Sequence, residues 1–264
     1  MPLTPVQKSI LTLLAAQRSE GSHIAGGTAI NRSDSSPRFS EDVDIFHDVA
    51  DAVSTSAIND ELVLQNAGWK VVWLIRQPSL YRADVRRGKD SVRLDWCFDS
   101  AFRFFPIQPD PEFGFVLHRA DLATNKLLAL AGRSEIRDFI DIVHLDQTEL
   151  SLGALAWAAC GKDQGFSPQS LLAMANRRVH FRQEELDREH LRTPLDLRDL
   201  KAKWIAAFER AERLIPTLPE SEIGCLYLDP SGIPTTPEPL APAFPAWGRH
   251  HGTLGGAWPR LATP

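Results

Sequence analysis

Two aspartates one residue apart, Asp42 and Asp44, follow a Gly26-Gly27 pair at short range in the run HIAGGTAINRSDSSPRFSEDVDIF (residues 23–46). Val43 and Ile45 alternate with them, so on a strand both carboxylates share one face while the aliphatic side chains enter a core. Two like charges that close resist ionisation together unless a cation lies between them, and a hard divalent ion with oxygen ligands is the usual resolution. Gly26-Gly27 lacks the Cβ atoms that would keep backbone N–H groups away from a ligand, and Thr28-Ala29-Ile30-Asn31 can begin a helix, so the segment reads as a phosphate cradle. Alone, a Gly-Gly is an ordinary turn and an Asp-x-Asp a solvated strand edge. Together, in this order, they point to metal-dependent chemistry at a phosphate.

The elements that must hold these residues are legible from periodicity. Val6, Ile10, Leu13 and Leu14 predict an amphipathic helix between Pro5 and Ser19, ended by Glu20-Gly21-Ser22. After the Asp-x-Asp strand, Asp48 to Gly68 is expected to be helical, with Gly68 as its stop. Lys70–Arg76 and Ser91–Phe98 are rich in β-branched and aromatic residues and predict two strands, joined by a polar basic segment with a turn at Gly88-Lys89-Asp90. On the second of these strands Arg93, Asp95 and Cys97 face away from Val92, Leu94 and Trp96, which makes Asp95 a further strand-borne carboxylate. From Asp121 the period turns helical. Lys126 falls at the edge of an apolar stripe, and Asp138 and Asp141 lie on one helical face by the i, i+3 rule. Further helices are expected from Ser167 to Leu214, read as scaffold. Residues 216–264 hold ten of the 19 prolines and six of the 16 glycines, so this segment is expected to be an extended arm, in which Cys225–Leu228, Phe244, Trp247 and Trp258 could pack on the body.

The runs Gly26–Asn31 and Arg38–Ile45 resemble the motif of the AbiEii/AbiGii-type nucleotidyltransferase toxins, a branch of the DNA polymerase β-like superfamily. Asp121–Leu145, with Lys126 and Arg137-Asp138-x-x-Asp141, is similar to that family's Lys-containing helix followed by Arg-Asp-x-x-Asp. The resemblance covers roughly residues 20 to 150. It implies an α+β fold: a polymerase β-like nucleotidyltransferase domain, a small mixed sheet with helices, over residues 1–118; a helical domain completing the nucleotide cleft over 119–215; and the Pro/Gly-rich extension over 216–264. It implies Mg²⁺, with Mn²⁺ as the alternative, held by Asp42, Asp44 and a third acid on a neighbouring strand, for which Asp95 is the leading candidate and Asp84 and Asp99 the alternatives. Gly26, Gly27 and Thr28 would meet the phosphates of an NTP substrate, Lys126 the triphosphate, and Asp138 and Asp141 would help complete the nucleotide site. The wider superfamily often has Ser where this chain has Gly27, so Thr28 or backbone alone must replace that hydroxyl. The implied reaction is attack of an acceptor hydroxyl on the α-phosphorus with pyrophosphate leaving. The implied role is that of a toxin in a toxin–antitoxin or phage-defence system, acting on an RNA such as the tRNA 3′ end and restrained by a cognate antitoxin. A small-molecule or protein acceptor, and a non-catalytic nucleotide-binding module, are the competing readings.

Composition sets bounds. With 43% hydrophobic and 24% charged residues the chain has ordinary globular composition, and its longest apolar runs fall short of the roughly 20 residues of a spanning helix, so no membrane partner is expected. The first residues lack the pattern of a signal peptide, and a cytoplasmic location is the expectation. A net charge of −5 argues against a protein that coats nucleic acid. Between Arg76 and Arg103, however, seven basic residues face four acidic ones, either a local basic patch or a solvated hairpin. The three cysteines form no CxxC pair, His250-His251 is too isolated for a metal site, and no GxxxxGK[ST] loop supports a kinase.

Overall fold

A computed structural model describes residues 3–259. They divide into two compact units: the residues up to Ala101 with Pro106–His118, and Phe102–Phe105 with the residues from Arg119 onward. The fold is mixed α+β.

In the first unit, α1 (Pro5–Leu14) starts at Thr4, whose side chain accepts from the Gln7 backbone N–H while Gln7 returns a bond to the Thr4 N–H. Then come β1 (Ser22–Ile24), α2 (Gly26–Ile30), β2 (Asp42–His47), α3 (Ala50–Asn66), β3 (Lys70–Gln77), β4 (Leu80–Arg87) and β5 (Asp90–Phe98). The short β6 (Phe102–Arg103) belongs to the other unit, and β7 (Gln108–Asp110) and β8 (Gly114–Val116) return to the first. Seven strands form one sheet in the order β3-β4-β5-β2-β1-β8-β7, with β2 parallel to β5 and its other neighbour, β1, antiparallel. Val43, Ile45, Ala83, Val85, Val92, Leu94 and Trp96 are buried on the face that α3 packs against, and α3 answers with Val53, Ala57, Asp60 and Leu64 along one stripe. Asp42, Asp44, Arg82, Asp84, Arg93 and Asp95 alternate with these core residues and so point to the opposite face.

β4 corrects the sequence reading, in which these residues were a polar basic connection. The segment is an eight-residue strand paired on both sides. Ala83 and Val85 supply its core face, and the charges of Arg82, Asp84, Arg86 and Arg87 hide that alternation.

A buried polar network ties the layers of this unit together. Arg18 Nη2 meets both oxygens of Asp60, at 2.5 and 2.6 Å, with side chains 1% and 0% exposed. The indole N–H of Trp96 donates to the same carboxylate, and Arg18 also donates to Ser22 Oγ, which lies 3.1 Å from His47 Nε2. Burial, with the Arg18 cation nearby, pushes the His47 imidazole down from 6.5 to about 4. Between these values the unfolded chain binds more protons than the folded one, so stability is fully present above pH 6.5 and falls as pH drops towards 4, by up to about 3 kcal/mol. Urea midpoints measured across that window should show this slope, and it should flatten in His47→Gln.

The second unit contains α4 (Arg119–Gly132), α5 (Ile136–Thr148), α6 (Leu152–Ala159), α7 (Pro168–Arg178), α8 (Gln183–Leu186) and α9 (Leu197–Leu214). The apolar run expected around Leu152–Cys160 is the fully buried α6; among the described residues no helix is long and apolar enough to cross a membrane. Asp121 is wholly buried, accepts from the backbone N–H groups of Phe104 and Phe105, and pairs with Lys162 at 2.7 Å. After α9 the proline-rich segment forms β9 (Cys225–Leu228), β10 (Gly248–His251) and β11 (Thr253–Leu254). β9 pairs with β10 and is buried along its length; β11 pairs with β6, and His250 Nε2 lies 2.8 Å from the Phe104 carbonyl.

Candidate active site

The glycine turn and the acidic strand meet through backbone and hydroxyl contacts. The Ala25 N–H donates to the Asp44 carbonyl, and both Thr28 Oγ1 and Ser40 Oγ donate to the Asp42 carbonyl, at 2.6 and 2.9 Å. The Gln7 side chain in turn donates to the Ser40 carbonyl at 2.7 Å. Thr28 is wholly buried, so its hydroxyl fixes where β2 begins. Gly26 adopts φ +60°, and a Cβ there would lie 2.2 Å from Asp44 Oδ2. The Asp44 carboxylate therefore rests directly on the glycine backbone. At Gly27 a Cβ would meet Ser40 Oγ at 3.0 Å and the buried Arg38 guanidinium at 3.2 Å. Gly26→Ala should cost about 1–2 kcal/mol from the left-handed backbone alone, and by pushing Asp44 aside should lower transfer activity about 10- to 100-fold, since an ångström of misplacement costs that much. Activity and urea midpoint measured together check it.

The parallel register of β2 and β5 sets Asp44 opposite Asp95 and Asp42 opposite Arg93. Asp95 is thus the carboxylate adjacent to Asp44, while Asp84 lies one strand further out, opposite Arg93, and Asp99 follows the end of β5. Carboxylates on neighbouring strands, about 4.8 Å apart at the backbone, repel by an amount on the order of 3 kcal/mol at an effective dielectric of 20. A nearby cation offsets this repulsion. On β4, Arg82 supplies one: its Nε and Nη2 donate to the two Asp95 oxygens at 2.7 and 2.5 Å. The hydrogen bonds to Asp95, together with the charges of Asp95 and Asp42, hold the Arg82 guanidinium well above its ordinary value against the opposing effect of burial. Next to it, burial and the negative charges of Asp44 and Asp95 push the Cys97 thiol up to about 12.

Hard oxygen donors on one strand face, Asp42 and Asp44, suit Mg²⁺ or Mn²⁺. Asp95 stands beside them but spends both oxygens on Arg82, and among the described residues no group of three or more His, Cys, Asp or Glu side chains is placed to hold a metal. The sequence reading missed Arg82. Arg82 and Asp95 stand equally far from the Gly88-Lys89 turn, so the hairpin register itself carries the pairing.

In the second unit the structure brings Lys126, Asp138 and Asp141 together. Lys126 Nζ lies 2.8 Å from Asp138 Oδ1 and 3.1 Å from Asp141 Oδ2, with both carboxylates fully buried. Arg133 closes the far side of Asp138 at 2.7 Å. Burial pushes the Asp138 carboxyl up, yet Lys126 and Arg133 outweigh it and hold the group below its ordinary range. Lys126 is therefore an internal cation joining α4 to α5, where the sequence placed it at the margin of an apolar stripe. His144, one turn beyond Asp141 on α5, has a buried Nε2 without a hydrogen-bond partner.

The comparisons with known proteins define the class to which this sheet, its paired carboxylates and its glycine turn belong, that of the nucleotidyltransferases. The chain belongs to the AbiEii nucleotidyltransferase toxin family: the model described as "Nucleotidyl transferase AbiEii toxin, Type IV TA system" matches residues 13–223. Among solved structures it is similar to MenT4, a nucleotidyltransferase toxin from Mycobacterium tuberculosis H37Rv, at 16% identity over 81% of this chain and 83% of that one, TM-score 0.53. It is also similar to JHP933 from Helicobacter pylori, at 18% identity over 80% and 90%, TM-score 0.51. At these identities the likeness establishes the shared fold. No curated protein sequence matches the chain.

Proposed function

We propose that the protein transfers an NMP from an NTP to an acceptor hydroxyl on an RNA such as the tRNA 3′ end, as the toxin of a toxin–antitoxin pair. The observation that carries this reading is the register that sets Asp44 across from Asp95, with Asp42 on the same face and Gly26 directly beneath the Asp44 carboxylate. Mg²⁺ would be held by Asp42 and Asp44, where it would neutralise charge developing on the phosphate oxygens. Either carboxylate can also accept the proton of the attacking hydroxyl. The Cβ-free space at Gly26 and Gly27 is taken by Asp44, Ser40 and Arg38, so the proposed phosphate contact of this turn is with its backbone. Thr28 acts through Asp42, by holding its carbonyl, and not as a phosphate donor. The family's toxin description supports a cognate antitoxin, and the name of MenT4 as a nucleotidyltransferase toxin supports the toxic role.

The test is transfer of label from each α-³²P-NTP with Mg²⁺ into total bacterial tRNA, wild type beside Asp42→Ala. Labelled RNA that vanishes in the variant supports the proposal and identifies the nucleotide. Release of pyrophosphate without labelled RNA would redirect the search to a small-molecule or protein acceptor, and neither label nor pyrophosphate would leave a nucleotide-binding module.

For the second unit, the proposed role of Lys126, Asp138 and Asp141 is in nucleotide use. Lys126→Met should raise the apparent KM for NTP about 10- to 100-fold, the loss of one charge-assisted hydrogen bond. Because the change also removes the ammonium that two buried carboxylates share, circular dichroism must show a folded variant. An unchanged KM would assign the cluster to internal packing alone.

A further inference from the structure

Along one level of the sheet the side chains run Asp44 on β2, Asp95 on β5 and Arg82 on β4, in register. One level away they run Asp42, Arg93 and Asp84. The two rows are wired differently. In the second, Asp84 draws the guanidiniums outward, with Arg86 at 2.8 Å and Arg93 at 3.5 Å, and Asp84 is itself partly exposed. In the first, Asp95 is 5% exposed and both its oxygens are taken by a single guanidinium arriving from the side away from Asp44. A two-pronged Arg–carboxylate contact fixes the plane of the carboxylate as well as its charge. Asp95 is thereby held still, with its negative charge offset, next to the pair that would hold a metal.

We propose that Arg82 is a positioning residue that sets the divalent-ion affinity of the acidic face: it serves as a resident counter-cation, so that Asp42 and Asp44 alone take up a free metal ion weakly. The inference rests on the reading of Asp42 and Asp44 as the metal-holding pair. Its chemical consequence is an order of events. With Arg82 in place, the divalent ion is retained when it arrives together with the negative charges of a nucleoside triphosphate, and the nucleotide-free protein holds little metal. Removing Arg82 returns a full negative charge to the site and frees two carboxylate oxygens as additional hard ligands.

The experiment is a titration of the nucleotide-free, full-length protein with Mn²⁺, read by electron paramagnetic resonance, for wild type, Asp44→Asn, Arg82→Gln and the double variant Arg82→Gln/Asp95→Asn. Arg82→Gln is expected to bind Mn²⁺ at least about ten-fold more tightly than wild type, the effect of one unit charge a few ångströms away in a partly solvated site. The double variant, which removes one charge of each sign, is expected to return to within about two-fold of wild type. A merely structural Arg82 would leave Mn²⁺ affinity unchanged or weaken it, and either result in a folded Arg82→Gln protein overturns the inference. Should that variant not fold, Arg82→Lys keeps the charge but cannot fork onto both oxygens. A tightening of about three-fold is then expected, and no tightening overturns the proposal. Asp44→Asn separates the two readings. If it abolishes Mn²⁺ binding while Arg82→Gln leaves affinity unchanged, the metal pair stands and the role of Arg82 falls. If Asp44→Asn leaves Mn²⁺ binding unchanged, both fall.

Discussion

Asp44→Ala is expected to lose nucleotidyl transfer by at least about 10³-fold, some 4 kcal/mol of transition-state stabilisation, while the protein melts no lower than wild type. The catalytic half follows from position. Asp44 sits on β2 between the Gly26 backbone and Asp95, so it is the residue through which the glycine turn, the proposed metal and the third carboxylate are brought to one place. Truncating it removes a metal ligand and opens the contact that fixes Gly26. The stability half follows from charge. Asp44 is only partly buried, on the sheet face away from α3, so its loss opens no core cavity and relieves repulsion with Asp95. Label transfer and a thermal melt on the same preparation test both halves. Wild-type turnover would remove Asp44 from the mechanism, whereas a melt lowered by several degrees would mean that the activity loss reports folding.

The largest stability effect is expected at Asp60. This carboxylate is completely buried on α3 and receives two hydrogen bonds from Arg18 and one from Trp96. Asp60→Ala leaves the Arg18 guanidinium inside the unit without its counter-ion, and such broken buried pairs cost about 3–5 kcal/mol. Urea unfolding measures the loss. The cost belongs to the stranded charge, so an apolar pair, Arg18→Met with Asp60→Leu, should recover most of it. A double variant as unstable as Asp60→Ala would show that the network stabilises the fold by some route other than charge pairing. Because Trp96 directly follows Asp95, transfer activity in the rescued protein also reveals whether the network holds β5 in register.

The site's acids were legible because alternation on a strand is a local property: Val43 and Ile45 fix the face of Asp42 and Asp44, and Val92, Leu94 and Trp96 fix that of Asp95. The helices of Asp121–Leu145 followed from period as well. β4 was not legible as a strand, since four charged side chains in eight residues hide a two-residue apolar alternation, and with it went Arg82, whose meaning depends on a partner thirteen residues away. Thr28 and Lys126 show a second limit. Their residue types suit a phosphate, but the hydroxyl and the ammonium also meet long-range partners that no local pattern announces, here the Asp42 carbonyl and the Asp138 and Asp141 carboxylates. Arg18 and Asp60 are 42 residues apart and gave no local signal. Likewise the proline-rich stretch read as an extended arm, because nothing within it announces that β9 pairs with β10 or that β11 pairs with β6.

That last pairing bears on when the second unit is completed during synthesis. Phe102–Phe105 leave the first unit, join the second, and hand the chain back for β7 and β8. Their partners come later: Asp121 on α4, Lys162 in the turn after α6, whose ammonium lies over the Phe104 ring, and β11 about 150 residues downstream. A nascent chain can complete its seven-stranded sheet once β8 has emerged, whereas the second unit waits for β11 to leave the ribosome. For the same reason no single cut separates the two units into intact halves, since a break after His118 strands residues 102–105 on the wrong fragment. A nucleotidyltransferase built in this way ties completion of its second unit to synthesis of the chain through β11.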